Sequence, residues 1–213
     1  MHKGYLISFE GLDGAGKTTQ VELLGRWLDA HSVSHIRTCE PGGTPLGGKI
    51  RQLLFHHPEL TITPLAEAFL FQADRAQHFA TVILPALDAG TLVISDRCFD
   101  SSIAYQGVAQ EVGTKLVEEL SLLATQGRAP DLTILLDLEP AQVQARTTII
   151  PDRSDLREAP SRFDRESEQF HRSLREAFLA LASAHPERIK VIDAAQSPQR
   201  IHEQVIELVK QML

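Results

Sequence analysis

The stretch Gly11-Leu12-Asp13-Gly14-Ala15-Gly16-Lys17-Thr18 constrains this chain more than any other. It fits G-x-x-x-x-G-K-[ST] in full, and its flanks give it the required context. Tyr5 to Phe9 is an apolar run of strand length. Beyond the glycines, Val21, Leu24 and Leu28 recur at helical spacing, with Leu23 and Trp27 widening the stripe. Strand, glycine turn and helix in that order make a βα unit of a parallel sheet. Glycines let successive N–H groups turn inward into a nest for anionic oxygens. The helix start adds its positive end. Lys17 supplies a point charge for the β- and γ-phosphates, and the Thr18 hydroxyl is placed to ligate a bridging Mg²⁺. All eight residues are therefore candidate triphosphate-binding positions. The motif alone leaves open a kinase, a switch or a motor.

The rest of the chain repeats the alternation. His35 to Cys39, Thr91 to Ser95, Leu132 to Leu136 and Val191-Ile192 read as further strands. Glu40-Pro41-Gly42-Gly43-Thr44-Pro45 is turn chemistry. Helical patterns cover Ile50 to Phe55, Leu65 to Leu84 and Leu116 to Leu123; the second is apolar on most sides and reads as central. Ile201, Val205, Leu208 and Met212 form the inner stripe of a closing helix. Thr147 to Ser161 does not look like core. It carries Pro151, Pro160 and alternating charges, and it reads as a mobile surface lid at 147–161 within a single domain, 1–213.

Composition narrows the class. A chain of 213 residues buries roughly 70% of the surface its unfolded form exposes, so it needs no staple. Lys and Arg number 21 against 28 Asp and Glu, a net charge of −7. That balance argues against a nucleic-acid or membrane-surface binder, while leaving room for a small anion held by a few aimed donors. Cys39 and Cys98 are too few for a disulfide framework or a zinc cluster and fit a reducing cytoplasm. No apolar run reaches membrane-spanning length. Met1-His2-Lys3-Gly4 leads straight into the first strand pattern, which points to no signal or transit peptide.

A second group of motifs carries a resemblance. Phe9 to Thr19, Glu40-Pro41-Gly42-Gly43-Thr44, Ile50-Arg51, Leu70-Phe71-Gln72-Ala73-Asp74-Arg75, Asp96-Arg97 with Ser101, Ser102 and Ala104-Tyr105-Gln106-Gly107, and Pro130-Asp131-Leu132-Thr133 leading to Asp137 occur in that order. The chain resembles the thymidylate kinase family of bacterial type over essentially its whole length. The resemblance implies an α/β fold, a five-stranded parallel sheet flanked by helices, of the P-loop NTPase kind with a mobile lid. It implies transfer of a phosphoryl group from ATP to dTMP with Mg²⁺, giving ADP and dTDP for dTTP synthesis, and a homodimer.

It also implies roles. Phe71 and Arg75 are i and i+4 on one helix face, and in the resembled family such a pair stacks on thymine and bonds its O4. From periodicity alone Phe71 would read as core. Arg51 and Arg97 would clamp the acceptor phosphate, since guanidinium forks match phosphate oxygens; a lone arginine would otherwise read as a surface ion pair. Asp13 would accept from the sugar 3′-hydroxyl, and Tyr105 would crowd out a 2′-hydroxyl. Pro41, Ser101, Ser102 and Gln106 complete the acceptor site. Asp96 and Asp137 both follow apolar strands and compete as the Mg²⁺-associated carboxylate; the motif favours Asp96. The catalytic set is Lys17, Asp96, Arg97 and a lid arginine, Arg153 or Arg157, with Arg146 and Arg162 flanking. Gly14 stands where some members carry a P-loop arginine, so that cation is assigned to the lid. Cys39 and Cys98 replace the family's usual Arg and Tyr or His, and Val108-Ala109-Gln110-Glu111 replaces its usual residues after Tyr-Gln-Gly.

Overall fold

The computed structural model describes residues 4–57, 59–143 and 167–213. Strands β1 (Leu6–Glu10), β2 (His35–Cys39), β3 (Leu92–Asp96), β4 (Leu132–Asp137) and β5 (Ile189–Asp193) form one sheet in the order β2-β3-β1-β4-β5. Every neighbouring pair is parallel. β1 lies at the centre and is buried at every position, as a strand covered on both faces must be. Its side chains alternate between two clusters. Ile7 and Phe9 pack with Leu24 and Leu28 of α1 (Lys17–Ala30) and with Ile201 and Val205 of α8 (Pro198–Lys210). Leu6 joins Phe79, Ile83 and Val93 in the other.

The chain leaves β1 for β2 at one edge, and β4 extends the sheet the other way. The order therefore reverses beside β1, and the carboxyl ends of β1 and β3 open a crevice there, where such sheets bind ligands. Phe9 is in register with Asp96, and Cys39 is too, so the glycine turn, Asp96-Arg97 and Glu40-Pro41 gather at one edge.

The strands fall within a residue or two of their sequence-based positions, but the helices depart more. α2 spans Pro45–Phe55, not Ile50 to Phe55. Thr44 caps it by accepting from Gly47 N, and Pro45 supplies a helical φ at the first turn. Two glycines in that turn had hidden the start.

The single helix read over Leu65 to Leu84 is three pieces: α3 (Pro64–His78), a wide π turn (Phe79–Ile83) and α4 (Leu84–Asp88). Pro85 has no N–H to donate and its ring crowds the carbonyl four residues back, at Thr81, inside the widened turn. Nor is α3 buried on its apolar side. Leu65 and Phe69 are about half exposed, while Glu67, Gln72, Asp74, Arg75 and His78 are buried. Polar residues face inward here because they are hydrogen-bonded to one another and to neighbouring elements: Glu67 to Gln106, Gln72 to Ser121, Asp74 to Gly42 N, and Arg75 and His78 to Glu40.

α5 (Phe99–Ser102) runs into a second π turn (Ile103–Ala109), followed by α6 (Thr114–Ala124); α7 (Glu168–Ala184) covers β4 and β5. The lid segment 147–161, with Arg153 and Arg157, and its flanking Arg146 and Arg162, lies outside the described residues.

Candidate active site

A cavity of about 830 Å³ opens at the carboxyl edge of the sheet. One end is the phosphate cradle. Gly11, Gly14 and Gly16 all take positive φ. At Gly11 the requirement is also steric, because a Cβ would collide with the Leu136 carbonyl oxygen of the neighbouring strand. Gly14, Ala15, Gly16 and Thr18 line the cavity. Gly11 and Leu12 do not. The Leu12 side chain is core, so these two contribute carbonyls, which accept from Lys17 Nζ at 3.2 and 2.9 Å. The Lys17 ammonium is buried, and burial together with the nearby Arg97 guanidinium holds it below its ordinary range. Asp13, at 3.7 Å, opposes that. A cation so poorly solvated gains from an arriving anion.

Thr18 Oγ1 donates to Asp96 Oδ2 at 2.5 Å, joining the start of α1 to the end of β3. Asp137 is elsewhere: Arg175 engages its carboxylate with Nε and Nη2 at 2.6 and 2.9 Å. Hydroxyl and carboxylate oxygens are the hard donors Mg²⁺ takes when it binds through few protein ligands, water and phosphate. Thr18 and Asp96 fit that donor set.

Arg97 follows in the left-handed region, at φ 70. Such a conformation costs on the order of 1–3 kcal/mol in a non-glycine residue, so the surroundings must hold it. They do. Nη2 donates to Asp13 at 2.5 Å and to the Tyr105 hydroxyl at 3.3 Å; Nη1 donates to Gly11 O and Ser101 Oγ. Glu10, fully buried, secures the turn from behind by accepting from Cys98 N at 2.8 Å and from the Ser101 hydroxyl at 2.5 Å. Burial pushes its carboxyl up to about 7 despite the pull of Arg97. Burial likewise drives the Cys98 thiol well above its ordinary range, so this cysteine is inert packing.

The other end of the cavity is bounded by α3 and the β2–α2 loop. Phe71 is half-buried and lines the cavity, edge-on to Phe55 at 6.4 Å between centroids. Arg75 is 1% exposed. Its Nε donates to Glu40 at 2.8 Å, Nη1 to Gln72 at 2.8 Å and Ser121 at 3.5 Å, and Nη2 to Ser102 at 3.1 Å. A guanidinium has five N–H groups, so one Nη2 hydrogen remains for a further acceptor, and the residue lines the cavity. Glu40 also accepts from His78 Nδ1. Burial works against its charge, yet Arg75 and His78 outweigh it and hold Glu40 below the usual carboxylate range.

Arg51 donates to the Pro41 carbonyl at 3.0 Å and stands over the Phe55 ring. Pro41, Ser101, Ser102, Tyr105 and Gln106 all line the cavity. Tyr105 is fixed edge-on between Phe170 and Phe178. Thus the cavity brings together the candidate residues that are described, Gly11, Leu12 and the competing Asp137 excepted.

Sequence reasoning missed Glu10, Glu40, Glu67 and Asp74 as organisers. The available signal was an acid directly inside or beside each motif: a carboxylate in an otherwise apolar strand needs a buried partner. Among the described residues, no cluster of three or more His, Cys, Asp or Glu could hold a metal, and no helix is long and apolar enough to cross a membrane.

A phosphate cradle at one end of the cavity and an aromatic-guanidinium platform at the other define a P-loop nucleotide phosphotransferase. The sequence matches the thymidylate kinase family profile over residues 9–205. It is 47% identical to a thymidylate kinase of Bifidobacterium longum over 91% of both chains. It is 41% identical to one from Symbiobacterium thermophilum over 97% of this chain and 93% of that one. The crystal structure of thymidylate kinase from Ehrlichia chaffeensis superposes with a TM-score of 0.75 at 32% identity, covering 98% of this chain and 99% of that chain. This chain belongs to the thymidylate kinase family.

Proposed function

We propose that the protein transfers the γ-phosphoryl group of ATP to dTMP, giving ADP and dTDP. The observation that carries this reading is that one cavity holds both the phosphate cradle and the Phe71–Arg75 platform. The reaction asks the protein for alignment and charge neutralisation more than for covalent chemistry. Backbone N–H groups of Gly14 to Thr18 and the Lys17 ammonium cradle the donor phosphates. Mg²⁺ held by Thr18, with Asp96 beside it, would neutralise charge on the phosphate oxygens. Arg97 and Arg51 orient the acceptor phosphate, Asp13 receives the 3′-hydroxyl, and Tyr105 crowds the sugar. Phe71 stacks on the base while Arg75 offers its remaining N–H to O4. An arginine of segment 147–161, Arg153 or Arg157, supplies a further cation.

Two accompanying readings belong here. The exposed Leu65 and Phe69 of α3 and Leu46 and Leu53 of α2 suit a homodimer face; a monomer in sedimentation at micromolar concentration would refute that. The cytoplasm is the natural compartment for two free thiols.

The function is tested by product identity. ATP, dTMP and enzyme should yield dTDP and ADP in equal amounts by ³¹P NMR. ADP forming at the same rate without dTMP, and no dTDP, would overturn the reading.

A further inference from the structure

Glu67 sits on α3 four residues before Phe71 and is fully buried. Its Oε1 accepts from Gln106 Nε2 and from Gln110 Nε2, both at 2.8 Å. One carboxylate oxygen therefore ties α3 to the π turn that carries Tyr105 and Gln106. A carboxylate oxygen only accepts, so it selects one of the two orientations of the Gln106 amide: NH₂ toward Glu67, Oε1 away from it. The opposite orientation would set two acceptors against each other in a buried site, a costly arrangement. Gln106 lines the cavity, and its Oε1 accepts no hydrogen bond from a described residue.

Arg75, lining the same cavity, can only donate. Together the two side chains offer a donor and an acceptor. Thymine presents the complement, an O4 acceptor next to the N3–H donor. Cytosine presents the reverse, an N4 amino donor next to the N3 acceptor.

We propose that Glu67 is a specificity-determining positioning residue: by fixing the Gln106 amide it keeps an acceptor turned to the base and so selects thymine over cytosine. This rests on the thymidylate reading above. Glu67 touches no substrate and acts through Gln106. Arg75 rejects cytosine by a separate route, so losing Glu67 weakens the discrimination without abolishing it.

The test is the ratio of kcat/KM for dTMP to that for dCMP. Wild type should favour dTMP. Glu67→Leu frees the Gln106 amide to turn, and the ratio should fall about tenfold, mainly through a higher KM for dTMP, with KM for ATP unchanged. Gln106→Leu should lower the ratio similarly, and the double variant no further, because the two act as one unit. Should Glu67→Leu fail to fold, the exchanged pair Glu67→Gln with Gln106→Glu decides. It keeps a hydrogen bond between the same positions and an acceptor toward the base, so it should preserve the dTMP preference. A ratio unchanged in Glu67→Leu, additive losses in the double variant, or a lost preference in the exchanged pair would overturn the proposal while leaving the thymidylate reading intact. A wild type with no preference for dTMP would overturn both.

Discussion

Thr18 and Asp96, 78 residues apart in sequence, meet through a 2.5 Å hydrogen bond at the carboxyl edge of the sheet. The contact joins the last residue of the glycine motif to the end of β3. It gives the hydroxyl and the carboxylate a shared position at the mouth of the phosphate cradle.

If these two oxygens serve the donor's Mg²⁺, Asp96→Asn should lower kcat by roughly a hundredfold or more. It should also raise the Mg²⁺ concentration needed for half-maximal rate, while calorimetric dTMP binding stays near wild type. An unchanged Mg²⁺ dependence would place the metal elsewhere.

Arg75 lines the cavity and is also structural. Removing it leaves Glu40 buried beside only His78, and breaking a buried pair costs about 3–5 kcal/mol. Arg75→Met should therefore lose stability of that order in urea titrations and weaken dTMP binding by about tenfold or more. Adding Glu40→Gln should restore much of the stability but none of the binding. Recovery of both would mean that Arg75 only braces the loop.

Asp74 accepts from Gly42 N at 3.1 Å and packs so close to Gly47 that a Cβ there would collide with it. Burial, and then the neighbouring Glu40, push its carboxyl from 3.8 up to about 6. The folded state thus holds a proton that the unfolded chain has already released. Stability from this group is fully present below about pH 4 and is lost as pH rises to about 6, in total about 3 kcal/mol. Asp74→Asn keeps the acceptor and cannot titrate. Wild-type stability minus that of the variant should therefore fall across this window and level off above it. Parallel curves from pH 4 to 7 would contradict the assignment.

For the arginines of segment 147–161, Arg153→Ala and Arg157→Ala should behave unequally. One should lose kcat by orders of magnitude with little change in KM, and the other should lose little. Small and equal effects in single-turnover assays would remove this segment from the chemistry.

Much of this was legible in the sequence. β1, β3 and β4 are short, mainly apolar runs closed by an acidic residue, and the glycine motif fixed which strand lies at the site. α3 was the misleading element. Periodicity equates apolar with buried, whereas here Phe69 faces out and Glu67, Asp74 and Arg75 face in. The inversion arises because the inner side of α3 makes buried polar contacts with Glu40, Gly42 and Gln106, while the other side lies on the surface. The helix read as ending at Leu84 instead continues through a π turn and α4 to Asp88, with Pro85 in the first turn of α4. The start of α2 was obscured by Gly47 and Gly48, although Thr44-Pro45 is a capping signal. Pairings such as Glu10 with Ser101 or Glu67 with Gln106 join residues 91 and 39 positions apart. Local patterns carry no information at that range, and a lone buried acid says only that a partner exists.

The central claim is that the platform of Phe71 and Arg75 selects the acceptor. The most direct measurement is kcat/KM for dTMP, dCMP, dAMP and dGMP with ATP and Mg²⁺ held saturating. The account expects dTMP to lead by a wide margin, with that lead shrinking in Arg75→Lys. A different base in front, or four acceptors used alike, would contradict it.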